Sequence, residues 1–176
     1  MQTLFKEYIV SKIRNKKFEW NFSHLSVNNY ITWDIVKSNM DLPWDWYFLS
    51  RNKNVTLEMV RDHPDQKWSL FYLGANISIT SDIILNNKDI PWNYHSLSMN
   101  KNISIDDLLQ LNVGLLDWYC LSARKDVTWN IVQDNPELPW NYNVLSLNKN
   151  IKLETILANR DKPWNWDYVS EKKELT

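Results

Sequence analysis

The chain has 176 residues, 44% of them hydrophobic, which is enough for one ordinary domain with a continuous apolar core. Its 20 Lys and Arg against 21 Asp and Glu give a net charge of −1, unlike the positive excess of a dedicated duplex-DNA binder. The single cysteine, Cys120, supplies neither a disulfide framework nor a zinc ligand set. No stretch approaches the ~20 apolar residues of a membrane span, and the segment MQTLFKEYIVSKIRNKK lacks the apolar run of a signal peptide, so we expect a soluble, intracellular protein without a membrane association.

The first 19 residues predict a helix that caps the rest of the chain. Phe5, Ile9 and Ile13 recur at four-residue spacing, and Leu4 and Tyr8 extend the same apolar face. A helix with one apolar face at the end of a repeat array shields the open core.

Tryptophan recurs every 24 residues from residue 20 onward. The repeating positions are Trp20, Trp44, Trp68, Trp92, Trp140 and Trp164, with Leu116 in the place of the missing member. This period divides the chain into six units and a partial one: residues 20–43, 44–67, 68–91, 92–115, 116–139, 140–163 and 164–176. A fixed period of this length is typical of proteins that stack one small structural unit many times.

Each unit begins with the signals of a short helix. The residue after the repeating position is always a favoured N-cap: Asn21, Asp45, Ser69, Asn93, Asp117, Asn141 or Asn165. An apolar residue four positions beyond the cap would pack on the one before it, as Leu49 on Trp44. The repeating tryptophans, together with Leu49, Leu97, Leu121 and Leu145, are therefore the predicted core.

A second helix is predicted in each unit, with N-caps at Thr32, Thr56, Thr80, Ser104 and Thr128, while Lys152 breaks the series. Asparagines close the first helix (Asn28, Asn52, Asn76, Asn100, Asn148) and the second (Asn39, Asn87, Asn135, Asn159). We expect these asparagines to take the left-handed conformation that ends many helices.

Helices of about two turns are not stable alone in water, so neighbouring units must bury their faces. The sequence thus predicts an all-α solenoid of six helical hairpins, with an N-terminal capping helix and a partial C-terminal unit. A leucine-rich repeat is the competing interpretation, since the period falls in its range.

The end of the fourth unit departs from the repeat. Leu111, Val113, Leu115 and Leu116 stand where other units carry polar residues, Pro or Trp, and Gly114 adds flexibility. Local repacking explains this segment, and so does an exposed apolar patch for self-association or a partner.

Two further patterns are candidates for binding. A row of basic residues, Arg51, Lys53, Lys101, Arg124, Lys125 and Lys149, lies between the two helices of successive units. It is either a solvated surface or a weak electrostatic strip for an acidic partner or RNA. Aromatic residues two after each repeating position are either core or a stacking surface. Units about 10 Å apart are too widely spaced for one contact per nucleotide.

Catalytic, cofactor-binding and metal-binding residues are not predicted. His24, His63 and His95 occupy different positions of the unit and make no ligand spacing. Ser26, Ser50, Ser98, Ser122 and Ser146 recur at one position of the unit, which only the third unit fills differently, with Gly74, whereas a nucleophile would be singular. Cys120 is expected to be a small core residue.

The motifs PWDWYFLSRNKNVTLEMV, PWNYNVLSLNKNIKLETIL and PWNWDYVS resemble the Trp-rich tandem repeats encoded by large nucleocytoplasmic DNA viruses. The resemblance covers residues 20–170 and implies a viral protein acting in the host cytoplasm or in the virion. We expect a non-catalytic repeat scaffold that binds a protein across several units, with nucleic-acid binding through the basic row as the alternative.

Overall fold

The computed structural model describes residues 2–15 and 17–172, with side chains from residue 6 onward. These residues form fourteen α-helices and one short 3₁₀ helix, and no β-strand occurs among them, so the all-α prediction is confirmed and the leucine-rich repeat is wrong. The helices are α1 (Gln2–Ile13), α2 (Phe22–Ser26), α3 (Trp33–Lys37), α4 (Trp46–Leu49), α5 (Leu57–Asp62), α6 (Leu70–Gly74), α7 (Ser81–Leu85), α8 (Tyr94–Met99), α9 (Ile105–Leu109), α10 (Trp118–Ser122), α11 (Trp129–Asp134), α12 (Tyr142–Leu147), α13 (Leu153–Ala158) and α14 (Trp166–Ser170).

Each of the six full units contains the predicted pair of short helices, the partial unit contains one described helix, and the first helix of every unit is capped as expected. All seven predicted N-cap side chains accept a bond from a backbone N–H of the first turn, as Asn93 Oδ1 does from Ser96 N at 2.9 Å. At the second helix only Ser104 and Thr128 accept such a bond. The first helix is therefore the better capped of the two at its N-terminus.

Each buried repeating indole links the first helix of its own unit to the end of the second helix of the preceding unit. Trp44, Trp92, Trp140 and Trp164 are buried, as are the four predicted leucines, Leu49, Leu97, Leu121 and Leu145. Each of these indoles donates its N–H to the carbonyl five residues earlier, where the preceding helix ends, as Trp92 Nε1 does to Asn87 O at 2.9 Å. Burial and a satisfied donor together explain why tryptophan recurs at this position.

Two of the predicted core tryptophans are not buried. Trp20 is 39% exposed, and the prediction for it is wrong, because its ring covers no preceding unit and donates to Lys12 O near the end of α1. Trp68 is half-buried between Trp33 and Trp46, with ring centroids 6.3 and 5.0 Å away.

The irregular end of the fourth unit is repacked. Leu116 is buried in the tryptophan's place, and Trp118 donates its indole N–H to Val113 O at 3.1 Å instead. Leu111 and Val113 are half-buried against the core, which favours local repacking of this segment, while partner binding by these two residues stays a prediction. Leu115, in the 3₁₀ helix, is exposed.

The asparagines that end the helices do not take the left-handed conformation, since no described residue has a positive φ. At the second helix, Asn39 Nδ2 donates to Ile35 O at 2.8 Å, one turn earlier, and Asn87, Asn135 and Asn159 do the same. A side-chain amide thus satisfies a carbonyl that the helix leaves without a partner.

At the first helix the asparagine side chains reach the preceding unit. Asn52 Nδ2 donates to Ser26 O, Asn28 O and Ile31 O, at 2.8 to 3.2 Å. The same position in later units acts likewise, and we call these residues the asparagine ladder: Asn52, Asn76, Asn100, Arg124, Asn148 and Lys172. Arg124 and Lys172 replace the amide with another donor, and the link between units survives.

A serine column adds a second link between units. Ser98 Oγ accepts the backbone N–H of Asp117 at 3.0 Å, and Ser26, Ser50, Ser122 and Ser146 make the equivalent contact. First helices of neighbouring units are in contact, α8 with α10 and α10 with α12 among them. The recurring serines are therefore structural.

The chain ends are attached to this array. Arg14 of the N-terminal segment donates to Asn39 Oδ1 and pairs with Asp41 at 2.7 Å, and Ile13 is buried. The side chains of Leu4 and Phe5 lie outside the described residues. So do residues 173–176, whereas Lys172 just before them is held by the ladder.

Candidate interaction surface

A column of exposed rings lies on the first helices, three positions after each repeating residue. In the second to fifth units this position holds Tyr47, Phe71, His95 and Tyr119, which we call the aromatic column; the other described units have Ser23, Asn143 and Asp167 there. Tyr47, Phe71 and Tyr119 are 49, 37 and 66% exposed. Since the leucine of the same helix faces the core, this position must face outward.

Rings of neighbouring units touch within this column. Phe71 stacks on His95, with centroids 6.0 Å apart and planes 16° apart. Tyr47 meets Tyr72 edge to face at 4.9 Å, and Arg51 lies over the same Tyr72 ring at 6.0 Å. Tyr72 is half-buried beside the column and meets Phe71 at 5.4 Å, so it joins Tyr47 to Phe71 and His95 across three units.

The column ends beside a groove between the fourth and fifth units. The groove has a volume of about 520 Å³, and Met99, Tyr119 and Ala123 supply its apolar lining. Lys101 and Lys125, both exposed, lie on its rim. An apolar groove with a basic rim suits an acidic chain segment that carries apolar side chains.

The predicted basic row is only partly available for binding. Arg51, Lys53, Lys101, Lys125 and Lys149 are exposed. Ile77, 64% exposed, occupies the equivalent position between Lys53 and Lys101 and interrupts the row.

Arg124 does not belong to this row, and its assignment to partner binding is wrong. Its side chain is 9% exposed and donates to the carbonyls of Ser98, Asn100 and Ile103 as a member of the ladder. The guanidinium also pairs with Asp126 at 2.6 Å. Burial opposes ionisation of Asp126, but the Arg124 hydrogen bonds and charge outweigh it and lower the pKa of this carboxyl.

The structure brings together a polar cluster that the sequence did not reveal. His95 Nδ1 lies 2.5 Å from Asp117 Oδ2, and Cys120 Sγ completes a group whose ligand atoms all lie within 4.8 Å of one another. Both His95 and Asp117 occupy positions that meet when units pack: the third residue after one repeating position faces the first residue after the next. Ser23 and Asp45 form the same kind of pair, in which Ser23 Oγ donates to Asp45 Oδ2. That spacing of 22 residues becomes visible only once the units are packed.

The electrostatics of this cluster do not fit a nucleophile. Burial, reinforced by the Asp117 charge, raises the pKa of the Cys120 thiol. A hydrogen bond from the backbone of Cys120 lowers the pKa of Asp117 against the opposing effect of burial. The thiol is therefore protonated at neutral pH, and reactive cysteines have the opposite shift. Cys120 is half-buried at the groove, not a core residue as predicted.

The other histidines have separate surroundings. His63 packs edge to face on Trp33 at 5.3 Å and accepts the Trp68 indole N–H at its backbone carbonyl. His24 is exposed on α2.

No protein-family model matches the chain, and neither a curated protein nor a solved structure is significantly similar to it. Within the part of the chain that the structure describes, no helix has both the length and the apolar character needed to cross a bilayer.

Proposed function

We propose that the chain is a non-catalytic repeat scaffold of solenoid architecture that binds an acidic segment of a protein partner along the aromatic column and into the adjoining groove. The observation that carries this proposal is the run of exposed rings in successive units beside two rim lysines. Exposed apolar surface of this kind is costly unless it is covered in a complex.

The chemistry of the surface defines the partner. Tyrosine supplies large apolar area at low entropic cost and dominates many protein interfaces. Lys101 and Lys125 line the groove and form no ion pair with any residue that the structure describes, so they favour carboxylates on the partner. A partner segment that alternates acidic with aromatic or aliphatic residues fits both features.

Nucleic-acid binding is the weaker proposal. Ile77 interrupts the basic row, Arg124 is engaged in the ladder, and the net charge is −1. A backbone-tracking site needs a continuous positive groove, so the surface supports a protein ligand better.

The test uses variants borrowed from the chain's own units. Tyr47→Ser copies Ser23 and Tyr119→Asn copies Asn143, so the double variant should fold normally. Peptides displayed as a random library are selected on the wild-type protein, and binding of the enriched peptides is measured by fluorescence anisotropy. We expect acidic peptides with aromatic residues, bound at least ~10-fold more weakly by the double variant.

Leu157→Ser, at an exposed position on α13, is the matched control and should bind like wild type. Equal binding by the double variant would overturn the proposal. Tight binding of an oligoribonucleotide that weakens steeply with salt, and is lost in Lys53→Glu/Lys101→Glu/Lys149→Glu, would support the nucleic-acid alternative instead.

The repeat motif supports a further part of the proposal, that the protein is viral and acts in the host cytoplasm or the virion. The exposed Leu115 also makes self-association a candidate interaction. Measuring the mass of the protein in solution would test it.

A further inference from the structure

We propose that His95, Asp117 and Cys120 form a binding site for a divalent transition metal of the zinc type at the junction of the fourth and fifth units. The three residues offer one imidazole nitrogen, one carboxylate oxygen and one thiol sulfur, all within 4.8 Å of one another. Zinc binds these three donor types at ~2.0 to 2.3 Å, which places tetrahedral ligands roughly 3 to 4 Å apart. The observed cluster thus needs only small side-chain movements to close around an ion.

Local structure holds each ligand in place. Asp117 is the N-cap of α10, and its Oδ1 accepts the backbone N–H of Cys120 at 2.9 Å, which leaves Oδ2 directed at His95. The His95 ring stacks on Phe71, which fixes its plane. Bonds of this kind to the ligating carboxylate are the usual support of a metal site.

The cluster differs from the equivalent position in other units. Between the first and second units, Ser23 donates to Asp45 and Phe48 stands where Cys120 stands. The simple hydrogen bond therefore needs neither an imidazole nor a thiol. Only the fourth and fifth units combine both with the capping carboxylate.

The site is open to solvent on one side. The His95 and Asp117 side chains are 50% and 26% exposed, and Cys120 lines the groove. Three protein ligands and an accessible face leave a fourth position for water or a partner's ligand atom. On binding, the Cys120 S–H bond breaks, its proton passes to solvent and a sulfur–metal bond forms.

A bound ion would join α8 to α10 at the end of the aromatic column. Because the three ligands come from two units, the metal would bind the folded chain and not the unfolded one, and so raise its melting temperature. The inference does not require the proposed peptide-binding function.

The experiment is a titration of the untagged, reduced protein with Co²⁺, followed by displacement with Zn²⁺. We expect thiolate-to-cobalt charge-transfer absorption in the near ultraviolet, its loss on adding Zn²⁺, and a melting temperature that rises with Zn²⁺ concentration. The thiolate signal reports Cys120 directly, since this is the single cysteine of the chain.

Two variants separate metal binding from structure. Cys120→Val copies Val144, and His95→Ser copies Ser23, which keeps a hydroxyl within reach of the next N-cap carboxylate. Both should keep the wild-type fold; Cys120→Val should lose the charge-transfer band, and both should lose the Zn²⁺-dependent melting shift. Ser23→His, which rebuilds the His–Asp pair without a thiol, is the control and should add no second site.

Absence of thiolate absorption in the reduced wild-type protein would overturn the inference. So would a Zn²⁺-dependent melting shift that Cys120→Val and His95→Ser retain, because binding would then lie elsewhere.

Discussion

At the scale of single residues, the joint between units depends on one side chain reaching the backbone of its neighbour. Asn100 is buried, and its Nδ2 donates to Gly74 O at 2.8 Å, Asn76 O at 3.1 Å and Ile79 O at 3.3 Å. Its Oδ1 accepts the backbone N–H of Asn102. Buried carbonyls left without donors are costly, so the ladder favours packing in which each of these side chains reaches the preceding unit.

Asn100→Asp should therefore destabilise the protein by about 3 kcal/mol or more, because a carboxylate would face carbonyl oxygens at a buried site. The measurement is the free energy of unfolding in urea at neutral pH. Asn86→Asp, at the exposed end of α7, should change it by no more than about 0.5 kcal/mol. Equal effects of the two substitutions would contradict the ladder.

The Arg124–Asp126 pair predicts a pH dependence. The folded-state pKa of Asp126 is lowered, so its contribution to stability is present above the unfolded pKa of ~3.9 and is lost as pH falls through the folded value. The difference in urea midpoint between wild type and Asp126→Asn should therefore shrink from pH 7 to pH 3. A difference that stays constant over this range would show that the charge of Asp126 is irrelevant.

At the scale of elements, each helix of the repeat is too short to be stable alone in water. The repeating tryptophans supply buried apolar contacts that stabilise the helices in the folded chain. Trp92 is buried, follows the last turn of one unit and precedes the first helix of the next. It belongs to the larger buried cluster, and its N–H satisfies Asn87 O. One residue thus links the end of one unit to the start of the next.

Trp92→Ala should cost about 3–5 kcal/mol of unfolding free energy, from the cavity and the lost indole donor. Trp20→Ala offers the matched comparison, because the same residue type at the exposed end should cost about 1 kcal/mol or less. Both are measured by urea denaturation. A free energy of unfolding for Trp92→Ala equal to that of the wild type would contradict the structural role of the repeating tryptophans.

At the scale of the whole molecule, most of the buried apolar side chains fall into two clusters. The smaller contains Ile13, Ile35, Trp44 and Leu49, and the larger continues from Leu57 to Val169. Contacts between units are local along the chain, so stability in such an array depends on nearest neighbours.

Hydrogen exchange followed by mass spectrometry should accordingly show less protection for α1 to α4 than for α8 to α12, because the smaller cluster buries fewer apolar side chains. Trp92→Ala should lower protection mainly in the units beside it. Uniform protection that falls everywhere at once would indicate a single cooperative unit instead.

The helices and their caps could be predicted because Asn93 and its equivalents act on N–H groups two or three residues away. The role of Asn52 could not, since its acceptors lie in the preceding unit and the same residue is also a common helix end. Arg124 looked like a surface charge for the same reason. The His95, Asp117 and Cys120 cluster needs the stacking geometry before any two of its members become neighbours.

The ladder recognises carbonyl oxygens, which every amino acid has. The amide of Asn76, the guanidinium of Arg124 and the ammonium of Lys172 therefore all donate to carbonyls of the preceding unit. Duplication or deletion of one 24-residue unit would therefore preserve the contacts between the remaining units. The outward-facing rings of each unit would be free to change separately. Length and ligand preference would then be adjusted separately from the joints that hold the array together.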